Sequence, residues 1–187
     1  MVSCKVGNGT IELVQGDLVA QSLDALVTAA NSGLRGGGGV DGAVHRAAGP
    51  GLLQACQALK GCPVGDAVLT GAFALEARGV RGVIHAVGPI WQGGRRSEDH
   101  LLASAYRRAL EVADAAGFQS VGLPSISTGA YGFPVDRAAG LALETVAGFL
   151  LEPGHSVARV VFALFGPTSY EAFAEALSAV CGTAGEA

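Results

Sequence analysis

Asn31 and Asp41 bracket four consecutive glycines, Gly36 to Gly39, in the stretch that runs from Ala29 to His45. That stretch follows an apolar run that reads as a strand and enters a short helical pattern over Asp41–Ala48. Its amides therefore converge at a helix amino terminus, where unsatisfied N–H groups and the helix dipole hold an anion without any lysine. Glycine-rich segments also make flexible surface loops, but a mere linker at the carboxyl edge of a sheet needs no amide and carboxylate at its two ends. A second turn, Pro124 to Pro134, likewise joins an apolar strand to a helix and contains Ser127, Thr128, Gly129, Ala130 and Tyr131. Two such loops leaving one sheet edge can clasp a diphosphate between them. No G-x-x-x-x-G-K-[ST] loop is present, and no G-x-G-x-x-G fingerprint stands in a dinucleotide-binding context. Neither nucleotide triphosphate hydrolysis nor hydride transfer is supported, and a diphosphate-bearing nucleotide gripped by main-chain donors is the ligand class left.

Gly16-Asp17-Leu18 closes an earlier apolar strand. Asp after Gly is a common turn residue. An acceptor-only carboxylate there would equally suit the amino group of a base such as adenine. Composition does not choose between the two.

The elements that must position these residues are legible as alternating patterns. Apolar, β-branched runs at Thr10–Val14, Asp24–Thr28, Ala67–Thr70, Gly82–Val87, Ser120–Leu123 and Val157–Leu164 predict strands, with helical periods between most of them. This predicts an α/β fold whose parallel or mixed sheet is covered on both faces. Val83–Val87 and Val160–Leu164 have no consistently polar face, which marks interior strands. One helix is expected from about Ser97 to Ala116, with Leu101, Ala105, Ala109, Val112 and Ala116 inward and Glu98 and Asp99 in its first turn. A second opens at Pro134 as its first helical residue and carries Val135, Ala138, Leu141, Val146 and Phe149. The last begins at Thr168 with Glu171 as a capping box and buries Phe173, Leu177 and Val180. The Ala–Gly–Glu tail after Cys181 is expected to fray.

Composition narrows the partners. Half of the 187 residues are apolar, and nothing reads as a linker, so residues 1–187 are expected to form a single domain. No apolar run approaches the ~20 residues of a membrane span, and the amino terminus lacks a secretory pattern, which places the protein in the cytoplasm as an expected monomer. A net charge of −4 without basic runs gives no footprint for a duplex, so nucleic acid is not the expected partner. The four cysteines and four histidines are scattered, so neither a metal site nor a disulfide framework is expected, and no cofactor is implied. Cys56 and Cys62 can pair in principle, but idle thiols are the reading taken.

With these segments in hand, the sequence resembles the macrodomain family, in particular its MacroD-type hydrolase branch. The matching strings are Gly16–Leu18, Asp24–Ser32, Gly36–Gly51, His85–Trp91 and Pro124–Pro134, and the likeness spans about Thr10 to Val180. It implies a three-layer α/β/α fold with a mixed central sheet, and a cleft for ADP-ribose at the strand ends. By resemblance, Asp17 holds the adenine amino group and Leu18 lies beside the ring. Gly38, Gly39 and Val40 line one side of the diphosphate, and Ser127, Thr128, Gly129, Ala130 and Tyr131 the other. Asn31 hydrogen-bonds the distal ribose, Tyr131 packs beside that sugar, and Phe165 borders the adenine or, equally, packs in the core. Asp41 orients or activates a water, assisted by a substrate phosphate. His45, one turn further on, is read as a structural hydrogen-bonding residue.

The resemblance implies an enzyme that removes mono-ADP-ribose esters from protein Asp or Glu and deacetylates O-acetyl-ADP-ribose, with ADP-ribose and mono-ADP-ribosylated proteins as its partners. The rival is a module that binds ADP-ribose without cleaving it, since fold alone does not decide activity. A poly(ADP-ribose) glycohydrolase is more distant, because no Gly-Gly-Gly followed by paired glutamates is present. One position departs from the pattern: the family commonly reads Val-Asn-Ala-Ala-Asn, and the first Asn is here Thr28. Thr keeps a hydroxyl and loses the amide, so a bracing bond made there is weakened or rerouted.

Overall fold

A computed structural model describes residues 2–184. Seven strands, β1 (Val2–Val6), β2 (Gly9–Gln15), β3 (Ala25–Ala29), β4 (Ala67–Thr70), β5 (Gly82–Ala86), β6 (Ser120–Leu123) and β7 (Arg159–Leu164), form one sheet in the order β1-β2-β7-β6-β3-β5-β4. The five inner strands run parallel, while β1 and β4 pair antiparallel at the two edges. Parallel strands buried on both faces need apolar side chains on both, and β5 is buried at every position while β7 is buried at all but Arg159. Helices α1 (Gly39–Ala48) and α2 (Pro50–Ala58) cover one face with Val44, Ala48 and Leu52. Helices α3 (Glu98–Ala115), α4 (Val135–Leu151) and α5 (Pro167–Ala184) cover the other, around Tyr106, Phe149, Phe162 and Phe173. The result is the expected α/β/α sandwich with a mixed sheet. Because the inner strands are parallel, β2, β3, β5, β6 and β7 all end on one edge, and the loops that leave them share it.

Several local expectations are corrected. Strand β1 escaped the pattern reading because only Cys4 and Val6 face inward on a short, otherwise exposed strand. Cys4 forms a disulfide with Cys181 of α5, so the expectation of scattered, unpaired cysteines fails for this pair, which sequence separation of 177 residues concealed. Cys56 and Cys62 are free and buried, and burial pushes both thiols up to about 11. The buried stripe of α3 is Leu102, Ala105, Tyr106, Ala109, Leu110 and Ala113, rotated from the expected one, so that Leu101 and Val112 flank it. Helix α4 begins at Val135 with Pro134 as its extended cap, and α5 begins at Pro167, which displaces Thr168 from the cap position. That helix also runs past Cys181 to Ala184, where fraying was expected; the rest of the tail, 185–187, lies outside the described residues. Among the described residues, no helix is long and apolar enough to cross a membrane.

Two polar side chains inside α3 carry information about the edge above them. Glu98 is buried and accepts from the amides of Gln92, Gly94 and Arg96, so it organises the loop before its own helix rather than merely facing the dipole. Tyr106 is fully buried, and its hydroxyl donates to the Pro124 carbonyl at 2.9 Å while accepting from the Ile126 amide at 2.8 Å. It thereby fixes the root of the loop that follows β6. Tyr106→Phe leaves a buried carbonyl and amide unpaired and is expected to cost about 1–3 kcal/mol. Urea denaturation checks this: the midpoint falls with the slope unchanged, whereas an unchanged midpoint would mean the loop root finds other partners.

Candidate active site

A cleft of about 720 Å³ opens at the carboxyl edge of the sheet, lined by residues that follow all five inner strands. Its first wall is the glycine loop. Asn31, just past β3, donates from Nδ2 to the Gly36 carbonyl at 2.9 Å and accepts the Arg35 amide on Oδ1 at 3.1 Å. This draws the loop tight and delivers Gly38 as the cap of α1, with no side chain filling the cap. The first-turn amides of Gly39, Val40 and Asp41 have no acceptor within the helix and lie at the cleft. The loop then folds back on α1: a Cβ on Gly42 would stand 2.5 Å from the Gly37 carbonyl, a contact no other residue permits.

The second wall is Pro124–Tyr131. Thr128 Oγ1 bonds Ser125 at both its carbonyl and its hydroxyl, and the Phe133 amide closes onto the Ser127 carbonyl at 3.0 Å. Ser127 takes a left-handed backbone (φ 66°), is buried, and its hydroxyl has no partner among the described residues. Gly129, Ala130 and Tyr131 continue this wall, and the Tyr131 carbonyl accepts the Trp91 amide. The far end of the cleft is set by β2 and β7. Asp17 caps a 3-10 turn, Leu18–Ala20, by accepting the Val19 amide on Oδ1 at 3.1 Å, and it lines the cleft as well, so its turn role does not exclude a ligand role. Leu18 is buried beside it. Phe165 is 86% exposed at the rim, which removes core packing as its role.

Asp41 is only 4% exposed. Burial raises its pKa; a hydrogen bond from the Thr28 hydroxyl to Oδ1 at 2.9 Å, and His45 Nε2 at 3.7 Å from the same oxygen, pull it back in part. Behind them lies a second buried group. His85 of β5 is fully buried, its Nε2 stands 2.9 Å from Thr70 Oγ1, and burial followed by the field of His45 holds it down to about 4, hence neutral near pH 7. The ligating atoms of His45, Cys56 and His85 all lie within 4.8 Å of one another. Cys56 Sγ is 3.6 Å from His85 Nε2 and 3.8 Å from Nδ1, a near-equality that puts the sulfur over the ring rather than on either lone pair. The trio packs as a buried polar cluster behind Asp41.

The cleft brings together every site residue expected from sequence. It also includes residues that were not anticipated, notably Gly88, Arg46 and Ser169. Gly88 was visible as part of His85–Trp91, but its role shows only in three dimensions: a Cβ there would lie 2.2 Å from Ser127 Oγ. Arg46 and Ser169 lie on helices whose register against the edge has no signal in the sequence.

A parallel sheet edge with two main-chain loops facing each other across a cleft defines an α/β/α protein whose pocket lies at the strand ends. The Macro domain family model matches residues 27–142, and the chain belongs to that family. A Macro domain-containing protein of Caldanaerobacter subterraneus subsp. tengcongensis is 51% identical over 170 residues, 89% of this chain and 94% of that protein. An O-acetyl-ADP-ribose deacetylase of Escherichia fergusonii is 51% identical over 144 residues, 75% of this chain and 80% of the deacetylase. Among solved structures, the Oceanobacillus iheyensis macrodomain with ADP superposes with a TM-score of 0.91 at 39% identity, covering 97% of each chain. The Trypanosoma brucei macrodomain in complex with ADP-ribose gives 0.82 at 38% identity, covering 89% of this chain and 68% of that one.

Gly88→Ala is expected to push the Ser127 loop outward and to cost about 1–3 kcal/mol. Amide NMR checks it: resonances of 125–131 should move while those of β1 and α4 stay in place. Loop resonances that do not move would show that the contact is absorbed elsewhere.

Proposed function

We propose that this protein binds ADP-ribose in the cleft and hydrolyses acyl esters of its distal ribose, both the linkage to a protein Asp or Glu side chain and that of O-acetyl-ADP-ribose. The observation that carries the reading is Asp41: a buried carboxylate of raised pKa set in the first turn of α1, beside free amides fit for phosphate. The likeness to a deacetylase of this ligand and to macrodomains solved with ADP and ADP-ribose supports it.

The amides of Gly39 and Val40, capped by Gly38, hold the diphosphate from one side, and the Ser127, Thr128, Gly129 and Ala130 segment from the other. Asp17 accepts the adenine amino group on the carboxylate oxygen left over from its turn, while Leu18 and Phe165 flank the ring. Tyr131 packs beside the distal ribose. Asn31 has one Nδ2 hydrogen left after bonding Gly36, and it donates this to a ribose hydroxyl. Asp41 takes a proton from a water as that water's oxygen attacks the ester; the ester C–O bond breaks, and the proton passes to the departing oxygen. A preorganised cleft fixes the water at little entropic cost.

One observation favours the rival, a module that binds without cleaving: both ends of the Asn31 side chain are already engaged in bracing the loop. Turnover decides between the two. Asp41→Ala is expected to keep the ADP-ribose Kd within a few-fold while lowering release of acetate from O-acetyl-ADP-ribose by about 10²–10⁴-fold, the usual worth of general base catalysis. Wild-type protein that binds ADP-ribose in calorimetry yet releases neither acetate nor carboxylate-linked ADP-ribose over hours would establish the binding module instead. Asp17→Ala is expected to raise the Kd about tenfold and to erase preference for adenine over guanine; retained preference would remove Asp17 from base recognition.

A further inference from the structure

Thr28 is fully buried near the carboxyl end of β3, opposite His85 of β5 in the sheet register. A Thr in a strand is stiff about its first side-chain torsion, so its hydroxyl is aimed by the backbone rather than by its surroundings. That hydroxyl is the hydrogen-bond donor to the Asp41 side chain among the described residues, at 2.9 Å on Oδ1. The other oxygen, Oδ2, lies 3.6 Å from where a Cβ on Gly37 would stand, and Asn31 Nδ2 lies 3.9 Å from the same point. The space over Gly37 is thus shared by one carboxylate oxygen and one amide, and it is kept clear because residue 37 has no side chain.

From this arrangement we infer that Thr28 is a positioning residue for hydrolysis: its hydroxyl pins Oδ1 of Asp41 and leaves Oδ2, over Gly37, as the oxygen that meets the water. The inference rests on Asp41 being the base. An ionised carboxylate only accepts, and a hydroxyl has one hydrogen to give, so the bond is strongest when Asp41 is charged. It therefore does two things at once, selecting the reactive oxygen and opposing the burial that would protonate it. The other titratable or charged groups around the carboxylate are His45 on its own helix, the Cys56 thiol of α2, held neutral by a pKa pushed up to about 11, and His85 of β5, held neutral by one pushed down to about 4. Arg46 lines the same cleft. None replaces a hydroxyl fixed on Oδ1.

The test is the pH profile of kcat/KM for O-acetyl-ADP-ribose in Thr28→Val, which keeps the shape and removes the donor. Loss of a bond that favours the charged form raises the Asp41 pKa, so activity, which needs the ionised base, is lost at higher pH on acidification. The acidic limb is expected to move up by about one pH unit, with kcat lower and ADP-ribose affinity within about threefold. Thr28→Ser should return the limb to its wild-type place, and Thr28→Ala repeats the deletion should the valine disturb packing. An acidic limb unmoved in the deletion variants while ADP-ribose still binds overturns the role of Thr28, whatever happens to kcat. Full activity in Asp41→Ala would overturn the base assignment itself, so the two failures are told apart.

Discussion

The edge of this sheet depends on one close contact of backbone with backbone, between the first turn of α1 at Gly42 and the carbonyl of Gly37, where a Cβ would approach to 2.5 Å. A loop that can lie this near its own helix presents the helix's unpaired amides to a ligand without any side chain between them. Asn31 supplies the tension by tying both ends of its amide to Arg35 and Gly36. Remove the contact and the loop lifts away, the amides diverge, and Asp41 loses the roof that buries it. The facing loop is held by a similar economy of atoms: the Tyr106 hydroxyl fixes its root, and Gly88 leaves room for Ser127.

How much of this was legible in the sequence follows from the range of the forces involved. The inner strands and major helices announce themselves through local apolar patterns, because burial on two faces or on one stripe leaves a mark every few residues. The glycine loop and the Pro124–Pro134 turn were legible for the same reason, since their chemistry is main-chain and their residues contiguous. What escaped was long-range or one-sided. Strand β1 has two inward residues and borrows its stability from β2, and the Cys4–Cys181 bond joins the chain's opposite ends. The stripe of α3 was misplaced by a rotation because alanines populate both its inner face and its shoulders, so periodicity alone could not fix its phase.

The departure at Thr28 shows the same limit within the site. The resemblance to the family pattern marks the position as a departure and registers a lost amide; only the structure shows where the remaining hydroxyl goes. A side chain in the strand interior, pointing at the face that carries α1, meets the residue that the helix's first turn directs inward. Thr28 and Asp41 are 13 residues apart in the chain and share a hydrogen bond because a five-strand parallel edge brings β3 beneath α1. The bond belongs to the topology as much as to the two residues.

On the proposed reading, in which main-chain amides rather than a lysine receive a diphosphate, that choice has an electrostatic reason. Asp41 lies in the first turn of α1, where the helix field favours an anion, yet burial prevails and its pKa is raised. A lysine or arginine in the glycine loop would bind phosphate well, but within a few ångströms of Asp41 it would pair with the carboxylate and hold it ionised as a weak base. Main-chain N–H groups carry only partial charge, so they neutralise part of the phosphate without reversing the balance at the neighbouring carboxylate. On the proposed reading, an arriving phosphate adds negative charge and raises the Asp41 pKa further, and the Thr28 bond opposes that rise. On that reading, anion binding and base strength are set by the same loop, and a run of glycines is the residue choice that serves both.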